Sequence, residues 1–546
     1  MMSTSHGTER LKMTNDIENL IYSTLSLSHD TGHAIELHTN NLSGSVYTVK
    51  GKKGTKFITF GVVTGPNADI DSMLRSTLSV LPGASIGVHM DGTGGVVSIL
   101  RKSFRTGDFD YIAAIDTPSL LSSSYKIEPG SLKPLTSQFE NVLFEVHSAF
   151  RDIDGLHAPD ALDEICKLIY AKLYDEENSL KSNELVFQRL IYSSVEECAA
   201  EIRQLYLNAI EDDKAIFINK IPLYERSRGV FRDQLLLSSS AIVRAVELLQ
   251  FYDLGTSPVD IKGRAFQNVL LPSVRSGMGQ YFTPKEVIDF IVEIMRPNVR
   301  ELIIDPFCGS GHFLTSAIDF VRKTHANADK IFHEFAFTRL HGIEKSDRMV
   351  RIAMTDMRLH GDGHSNIRCI DSLLPFSNYP DLYRESFDLV MTNPPFGVDL
   401  PYESLNHLGP FTLAEERRSG ISLEIVALER CLQLLRPGGR LAIVLPDSVL
   451  SNKNTSSVRD WVKGQAKIRA ILSLPVDTFS PFGANIKTSI LILRKFSVGE
   501  ANVGDYKVFL SDIDNVGYDA AGRPSKKSDL ADVISNYSRF VNEEGW

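Results

Sequence analysis

The residues with the clearest chemistry lie between positions 303 and 396, where acidic side chains and a proline-rich loop follow apolar, strand-like runs. The run ELIIDPFCGSGHF places Asp305 at the end of such a segment and follows it with a turn that contains Gly309 and Gly311. Glycines let the backbone approach a bound ligand closely, and Asp305 is placed to hold an ammonium or hydroxyl group. The run lacks the glycine and lysine spacing of pyrophosphate sites.

Two further acids close the next strand-like runs. Glu344 ends LHGIE, and Asp371 follows NIRCI. An acid that closes the second strand is placed to accept hydrogen bonds from ribose hydroxyls. An acid that closes the third strand is placed to accept from an adenine amino group. Each acid alone is equally consistent with a helix cap. Three acids on successive strands beside a glycine turn indicate an adenosine-containing cofactor without phosphates.

The run FDLVMTNPPFG ends a buried strand at Asn393, Pro394, Pro395 and Phe396. Two prolines remove two backbone donors and fix φ, which predicts a stiff loop with outward-facing carbonyls. The Asn393 amide oxygen and such a carbonyl form two acceptors for one NH2 group. Accepting both hydrogens localises the nitrogen lone pair and activates a poor amine nucleophile without a strong base. Phe396 is expected to stack on the ring that carries the amine, which for duplex DNA implies base flipping.

The loop by itself leaves the amine substrate open. An Asn-Pro-Pro-aromatic loop suits adenine N6, guanine N2, cytosine N4 or a glutamine amide, so DNA, RNA and protein are all candidates. A non-catalytic regulatory subunit with a residual cofactor fold is a third interpretation. The intact set of Asp305, Glu344 and Asn393 disfavours that interpretation.

These residues require a scaffold in which strand ends converge. From about residue 276 to 500, strand-length apolar runs alternate with helical periodicity, which predicts an α/β catalytic domain with a doubly wound, mainly parallel sheet. Residues 141–275 show helical spacing and predict a helical domain for DNA or partner contact. Residues 1–140 contain short β-leaning runs and predict a small β-rich domain without an assigned role. Residues 501–546 are expected to form a polar tail.

Composition narrows the class of protein. The 546 residues are 43% hydrophobic and 23% charged, which is typical of a globular protein with several domains. No apolar run is long enough for a membrane span, and the start of the chain lacks the apolar segment of a signal peptide, so a cytoplasmic location is expected. Five widely separated cysteines predict neither disulfides nor a metal site. The net charge of −10 opposes binding to nucleic acid by bulk charge alone.

Several motifs carry a resemblance to a known family. DPFCGSG, NPPF and GQYFTPKEVIDFIVEIM resemble the motifs of S-adenosylmethionine-dependent N6-adenine DNA methyltransferases. Longer runs such as LERCLQLLRPGGRLAIVLPDSVL resemble the modification subunit of type I restriction-modification systems. The resemblance extends from about residue 140 to the last residue. It implies a site-specific DNA methyltransferase that modifies N6 of a flipped-out adenine, with S-adenosyl-L-methionine as cofactor.

The resemblance also implies roles for single residues. Thr283 and Pro284 mark a helix start whose free amides are placed to receive the cofactor carboxylate, and Phe282 is expected to pack against the cofactor. The implied cofactor-binding residues are Phe282, Thr283, Pro284, Asp305, Phe307, Gly309, Gly311, Glu344 and Asp371. The implied catalytic residues are Asn393, Pro394, Pro395 and Phe396.

Recognition of a DNA sequence needs a surface that reads base edges. The polar tail is too short to form such a surface. The insert that follows the Asn393–Phe396 loop, from Asp399 to about Ser419, is only long enough for a loop. The expected partners are therefore double-stranded DNA and a separate specificity subunit, with a restriction subunit as a further candidate.

Overall fold

The computed structural model describes most of the chain after residue 126. The described residues are 33–41, 44–53, 56–64, 75, 78, 86–90, 96–102, 109–111, 127–136, 139–189, 191–192, 194–220, 234–257, 261–263, 265–266, 283–324, 329–361, 366–415, 420–500 and 505–545. Within these ranges, no helix is both long and apolar enough to cross a membrane.

Six strands before residue 112 form a sheet of their own. They are β1 His33–Asn41, β2 Gly44–Lys53, β3 Lys56–Thr64, β4 Ile86–Met90, β5 Val96–Lys102 and β6 Phe109–Tyr111. The strands pair in chain order and are antiparallel, except that β3 and β4 are parallel.

Long helices follow between residues 139 and 249. They are α1 Phe139–Asp154, α2 Ala158–Ser182, α3 Val195–Lys220 and α4 Ser239–Leu249. Pro159 lies in the first turn of α2, where its missing N–H costs nothing, and Asn183 ends that helix in a left-handed conformation with φ +54°. The apolar faces of these helices share one buried core, which includes Leu162 and Ile202 and reaches Met349 beyond the helical region.

An eight-stranded sheet and its flanking helices form the largest unit. Its strands are β7 Ile303–Asp305, β8 Leu340–Glu344, β9 Ile367–Cys369, β10 Phe387–Thr392, β11 Leu435–Pro446, β12 Ala466–Ser473, β13 Thr488–Lys495 and β14 Phe509–Asp512. Its main helices are α5 Lys285–Met295, α6 His312–Thr324, α7 Asp329–Arg339, α8 Asp347–Leu359, α9 Leu423–Leu434, α10 Ser456–Gln465 and α11 Leu530–Glu544.

The strand order is β9-β8-β7-β10-β11-β13-β12-β14. Only β13 runs antiparallel to its two neighbours, so the expectation of a mainly parallel sheet is confirmed. Alternate residues of the central strands enter different cores: Ile303 and Met391 pack with α5, α6 and α8, whereas Ile304 and Val390 pack with α9. This period of two explains why the strands read as continuous apolar runs, since both sheet faces are covered by helices.

The last part of the chain belongs to this unit. The sequence assigns residues 501–546 to a polar tail, but β14 pairs with β12 at the sheet edge. Val516, Val533 and Tyr537 are buried in the same core as α5. The apolar residues that make this contact are spaced among polar ones, which is why the segment reads as polar.

The helical region contacts the α/β unit through ion pairs between α2 and α8. Arg351 Nε and Nη2 donate to the two carboxylate oxygens of Asp163 at 2.6 and 3.0 Å, and both side chains are at most 10% exposed. Arg348 pairs with Asp160 nearer the surface. The pairs hold α8, which begins directly after the strand that carries Glu344, against the helical region.

Candidate cofactor and amine-binding site

The candidate site lies where the strand order of the sheet reverses. The chain passes from β7 outward to β8 and β9, then returns to the other side of β7 with β10 and β11. Such a reversal opens a crevice at the carboxyl ends of the two central strands, which is the usual ligand position in doubly wound sheets. Asp305 ends β7 and Asn393 directly follows β10. The topology therefore brings the two most informative sequence motifs to one crevice.

Asp305 is the most buried acid of the crevice, with 1% of its surface exposed. Its Oδ1 accepts a hydrogen bond from the Thr392 hydroxyl at 2.5 Å and another from the Phe307 amide at 3.0 Å. Burial raises the pKa of the Asp305 carboxyl to about 7, although both donors act in the opposite direction. A cationic ligand in the crevice would favour the ionised carboxylate.

The glycine turn has the backbone conformation that its sequence suggests. Gly309 and Gly311 have φ values of +51° and +83°, in the left-handed region that favours glycine. A side chain at Gly311 would also place its Cβ 3.2 Å from the Ala353 Cβ, whereas space beside Gly309 is open. The turn therefore keeps α8 close and leaves the Gly309 side of the crevice free.

Glu344 binds the glycine turn. Its Oε2 accepts from the Gly309 amide at 3.1 Å, and its Oε1 accepts from the Ser346 amide at 2.7 Å. Burial raises the pKa of this carboxyl as well. Each oxygen keeps a further lone pair, so the half-buried carboxylate can still accept from a ligand hydroxyl.

Asp371 lies farther along the same edge, after β9. Its Oδ2 accepts from the Lys345 ammonium at 2.9 Å, and its Oδ1 accepts from the Leu373 amide at 3.0 Å. An ion pair with Lys345 was not anticipated from the sequence. With strands about 4.8 Å apart, the four strand ends from Asn393 to Asp371 cover about 14 Å of the sheet edge.

The Asn393 amide has one satisfied end and one unsatisfied end. Its Nδ2 donates to the Thr283 hydroxyl at 2.8 Å. Its Oδ1 is buried, and among the described residues no donor reaches it. A buried acceptor without a partner costs free energy, so it points to a ligand that supplies a donor.

The rest of the proline loop is packed differently from the expectation. Pro394 is buried and Pro395 is exposed. Phe396 is only 6% exposed, and its ring packs edge-on against Phe479 with centroids 6.0 Å apart. The ring therefore belongs to the core of the sheet in this conformation, and the predicted stacking on a base requires a movement of the loop.

An open crevice, with about 400 Å³ of space that includes part of the surrounding solvent, joins these elements. Its lining includes Thr283, Asp305, Phe307, Gly309 and Asn393. Helix α5 begins beside it at Lys285, with the buried Pro284 at the N-cap position. Phe282 lies outside the described residues. Glu344 and Asp371 do not line the cavity and lie beyond its Gly309 end.

A family comparison decides the class of the protein. The model of the N-6 DNA methylase family matches residues 263–546, which is more than half of the 546-residue chain. The chain belongs to the N-6 DNA methylase family. The matched segment contains α5, the glycine turn, the acidic strand ends and the proline loop.

Relatives of this methylase include subunits of type I restriction enzymes. It is 25% identical over 355 residues to the EcoEI methylase subunit of Escherichia coli. The aligned segment covers 61% of this chain and 70% of the relative. It is 27% identical over 321 residues to the EcoKI methylase subunit of Escherichia coli strain K12. Here the aligned segment covers 55% of this chain and 56% of the relative. The methylase thus spans between about half and 70% of the length of these two relatives.

A solved structure shares the fold. A chain of the type I R-M system superposes with a TM-score of 0.54 at 17% identity, over 75% of this methylase and 83% of that chain. At this identity the likeness concerns the arrangement of elements only.

Thr392 and His312 are among the residues of the site that sequence reasoning missed. Thr392 binds Asp305, and its position directly before the proline loop is the only signal that would have drawn attention to it. His312, the first residue of α6, lines the cavity, and its Nε2 lies 3.9 Å from Asp356 Oδ2. Burial lowers the pKa of His312, so the imidazole is neutral at pH 7.

Proposed function

We propose that this methylase transfers a methyl group from S-adenosyl-L-methionine to N6 of an adenine turned out of duplex DNA, as the modification subunit of a restriction-modification system. The observation that carries the proposal is the buried, unsatisfied Asn393 Oδ1 beside the cavity that Asp305 lines. An exocyclic amine would supply the donor that this oxygen lacks. The family to which the chain belongs supports adenine as the base.

The residues of the crevice fit an extended cofactor that consists of an amino-acid part joined to a nucleoside part. Asp305 offers a carboxylate for an ammonium group, and the left-handed Gly309 turn leaves open space beside it. Glu344 offers acceptors for ribose hydroxyls, and Asp371, farther along the same sheet edge, offers an acceptor for an adenine amino group. When bound beside these residues, S-adenosyl-L-methionine would supply an electrophilic methyl group for transfer to the amine nitrogen, with its sulfonium as the leaving group.

The chain's own residues prepare the amine for this step. Asn393 Oδ1 and a carbonyl of the proline pair accept the two amine hydrogens, so the lone pair becomes localised on nitrogen. The nitrogen loses one proton to solvent after the bond has formed. Phe396 stacks on the base once the loop has moved away from Phe479. Phe307 lines the cavity, Pro284 begins the helix beside it, and Gly311 allows α8 to pack close to the glycine turn.

We further propose that the two main parts of the chain have different roles in a complex with other subunits. The α/β unit carries the chemistry, and the helical region docks a separate specificity subunit that reads the DNA sequence. A restriction subunit can join the same complex, because the relatives are named as subunits of type I restriction enzymes. The β-rich sheet before residue 112 is assigned no catalytic role.

The test uses cofactor that is tritiated in its methyl group. We incubate the chain, alone and with co-expressed specificity subunit, with unmethylated DNA, with RNA and with total protein, and identify the modified nucleoside by mass spectrometry. N6-methyladenine in DNA is the expected product. Label that enters only RNA or protein would refute the proposal and support one of the alternative amine substrates.

A further inference from the structure

The contact between Asn393 and Thr283 joins two segments that are far apart in the chain. The Asn393 Nδ2 donates to the Thr283 hydroxyl at 2.8 Å, across 110 positions of sequence. Thr283 does not cap α5, because Pro284 occupies the N-cap position, no side chain caps this helix, and the amides of Val287 and Ile288 donate to the Pro284 carbonyl. The hydroxyl is therefore available for the catalytic loop.

The direction of this hydrogen bond decides what Asn393 presents to a substrate. A threonine hydroxyl can donate or accept, and an amide has a donor end and an acceptor end. If the hydroxyl accepts, Nδ2 faces Thr283 and Oδ1 faces the amine. If the hydroxyl donates to Oδ1, Nδ2 faces the amine and two donors oppose each other. Only the first arrangement activates the amine.

A hydroxyl accepts reliably when its own proton is held elsewhere. Thr283 lines the cavity that also contains Asp305. Helix α5 begins at Lys285, two positions after Thr283, and the positive end of a helix favours a carboxylate nearby. A carboxylate has only acceptors, so it would draw the hydroxyl proton and leave the lone pairs of Thr283 for Asn393.

We propose that Thr283 is a positioning residue that orients the Asn393 amide, and that the carboxylate of the bound cofactor sets this orientation by accepting a hydrogen bond from the Thr283 hydroxyl. The inference rests on the proposed function and deepens it. Amine activation is thereby coupled to cofactor occupancy: an empty cavity leaves the amide free to rotate, and a filled one fixes Oδ1 toward the base.

The first experiment compares Thr283→Val, which has nearly the same shape but no hydroxyl, with Thr283→Ser, which keeps the hydroxyl. Methyl transfer is measured in the complex with the specificity subunit, in single turnovers at saturating cofactor. We expect the valine variant to lose about tenfold or more in rate, and the serine variant to stay within a few fold of the wild type. Thr355→Val is the control, because Thr355 is buried away from the cavity and its hydroxyl donates to the Arg351 carbonyl of its own helix.

The second experiment asks whether Thr283 acts through Asn393. In the Asn393→Ala background, Thr283→Val should cause no further loss of rate, because no amide remains to be oriented. If the two residues acted independently, the double variant would lose the product of the two single rate losses, and that result would overturn the inference. Equal rates for Thr283→Val and the wild type, or equal losses for the serine and valine variants, would overturn it as well.

The third experiment measures ligand affinity and does not depend on turnover. Calorimetry compares S-adenosylhomocysteine with methylthioadenosine, which lacks the carboxylate. Thr283→Val should weaken the first ligand roughly tenfold, because a charge-assisted hydrogen bond is lost, and leave the second unchanged. Equal effects on both ligands would refute the carboxylate contact. A wild type that binds both ligands but modifies no DNA would instead refute the proposed function and leave the carboxylate contact standing.

Discussion

At the scale of single residues, Asn393 is the group whose removal should separate chemistry from binding. Its Oδ1 is the unsatisfied acceptor of the site, and its Nδ2 is occupied by Thr283. We expect Asn393→Ala to reduce the rate of methyl transfer about 10²- to 10³-fold, as for other variants that lose one preorganised polar group. Calorimetry should find cofactor affinity within a few fold of the wild type. A variant with normal turnover would contradict the role of the amide oxygen.

The Asp305 carboxyl should give the free energy of unfolding a distinctive dependence on pH. Its pKa is about 3.9 in an unfolded chain and is raised to about 7 by burial. The folded state therefore binds more protons between these values, so this contribution to stability is full below about pH 4 and is lost as the pH rises through 7.

Asp305→Asn removes this titration, so the variant provides the test. Relative to Asp305→Asn, wild-type stability should fall between pH 4 and pH 8 by up to about 4 kcal/mol, measured by urea unfolding without cofactor. The same variant should bind the cofactor more weakly at pH 8, because the carboxylate for its ammonium group is gone. A stability difference that does not change with pH would show that Asp305 titrates normally.

At the scale of elements, the contact between α2 and α8 should depend on one ion pair much more than on its neighbour. Arg351 and Asp163 are at most 10% exposed, whereas the side chains of Arg348 and Asp160 are 34% and 48% exposed. Removing one partner of a buried pair leaves an uncompensated charge, whereas an exposed pair contributes little.

We therefore expect Arg351→Ala to lower the free energy of unfolding by about 3 kcal/mol. Arg348→Ala, the matched control on the same face of α8, should cost less than about 1 kcal/mol. Lys167 Nζ, 3.5 Å from Asp163, compensates part of the loss and limits its size. Urea unfolding of both variants checks the difference. Similar costs would mean that the buried pair is replaced by water or by a rearrangement of Lys167.

At the scale of the whole molecule, the distribution of charge matters more than its sum. Residues 139–220 contain 17 acidic and 8 basic residues, a net charge of −9 within a chain whose total is −10. The sequence allows this helical region to contact either DNA or a partner. The charge favours a partner protein with a basic surface, because a polyanion would be repelled.

The isolated chain should therefore not select a DNA sequence. Gel-shift assays should show weak binding without sequence preference, and methylation at defined sites should appear only when the specificity subunit is added. The dependence of binding on salt should become steeper in the complex, since the partner supplies the phosphate contacts. Site-specific methylation by the chain alone would contradict this expectation and would direct attention to the first 140 residues as the reader.

The sequence by itself determined the local features of this methylase. A strand end followed by an acid, a glycine turn or a proline loop depends on neighbouring residues, so Asp305, Gly309, Gly311 and Asn393 could be placed on elements from their spacing. The alternation of strands and helices predicted the sheet, because each periodicity is set by the geometry of its own element.

The tertiary structure alone decided which of these features meet. Strand order brings Asn393 to Thr283 and Thr392 to Asp305, contacts that span 110 and 87 positions and leave no local signal. It also directs Phe396 into the core and gives β14 and its flanking segments a place in the sheet. Such contacts depend on how separate elements pack, and packing is a property of the assembled sheet rather than of any single stretch of chain.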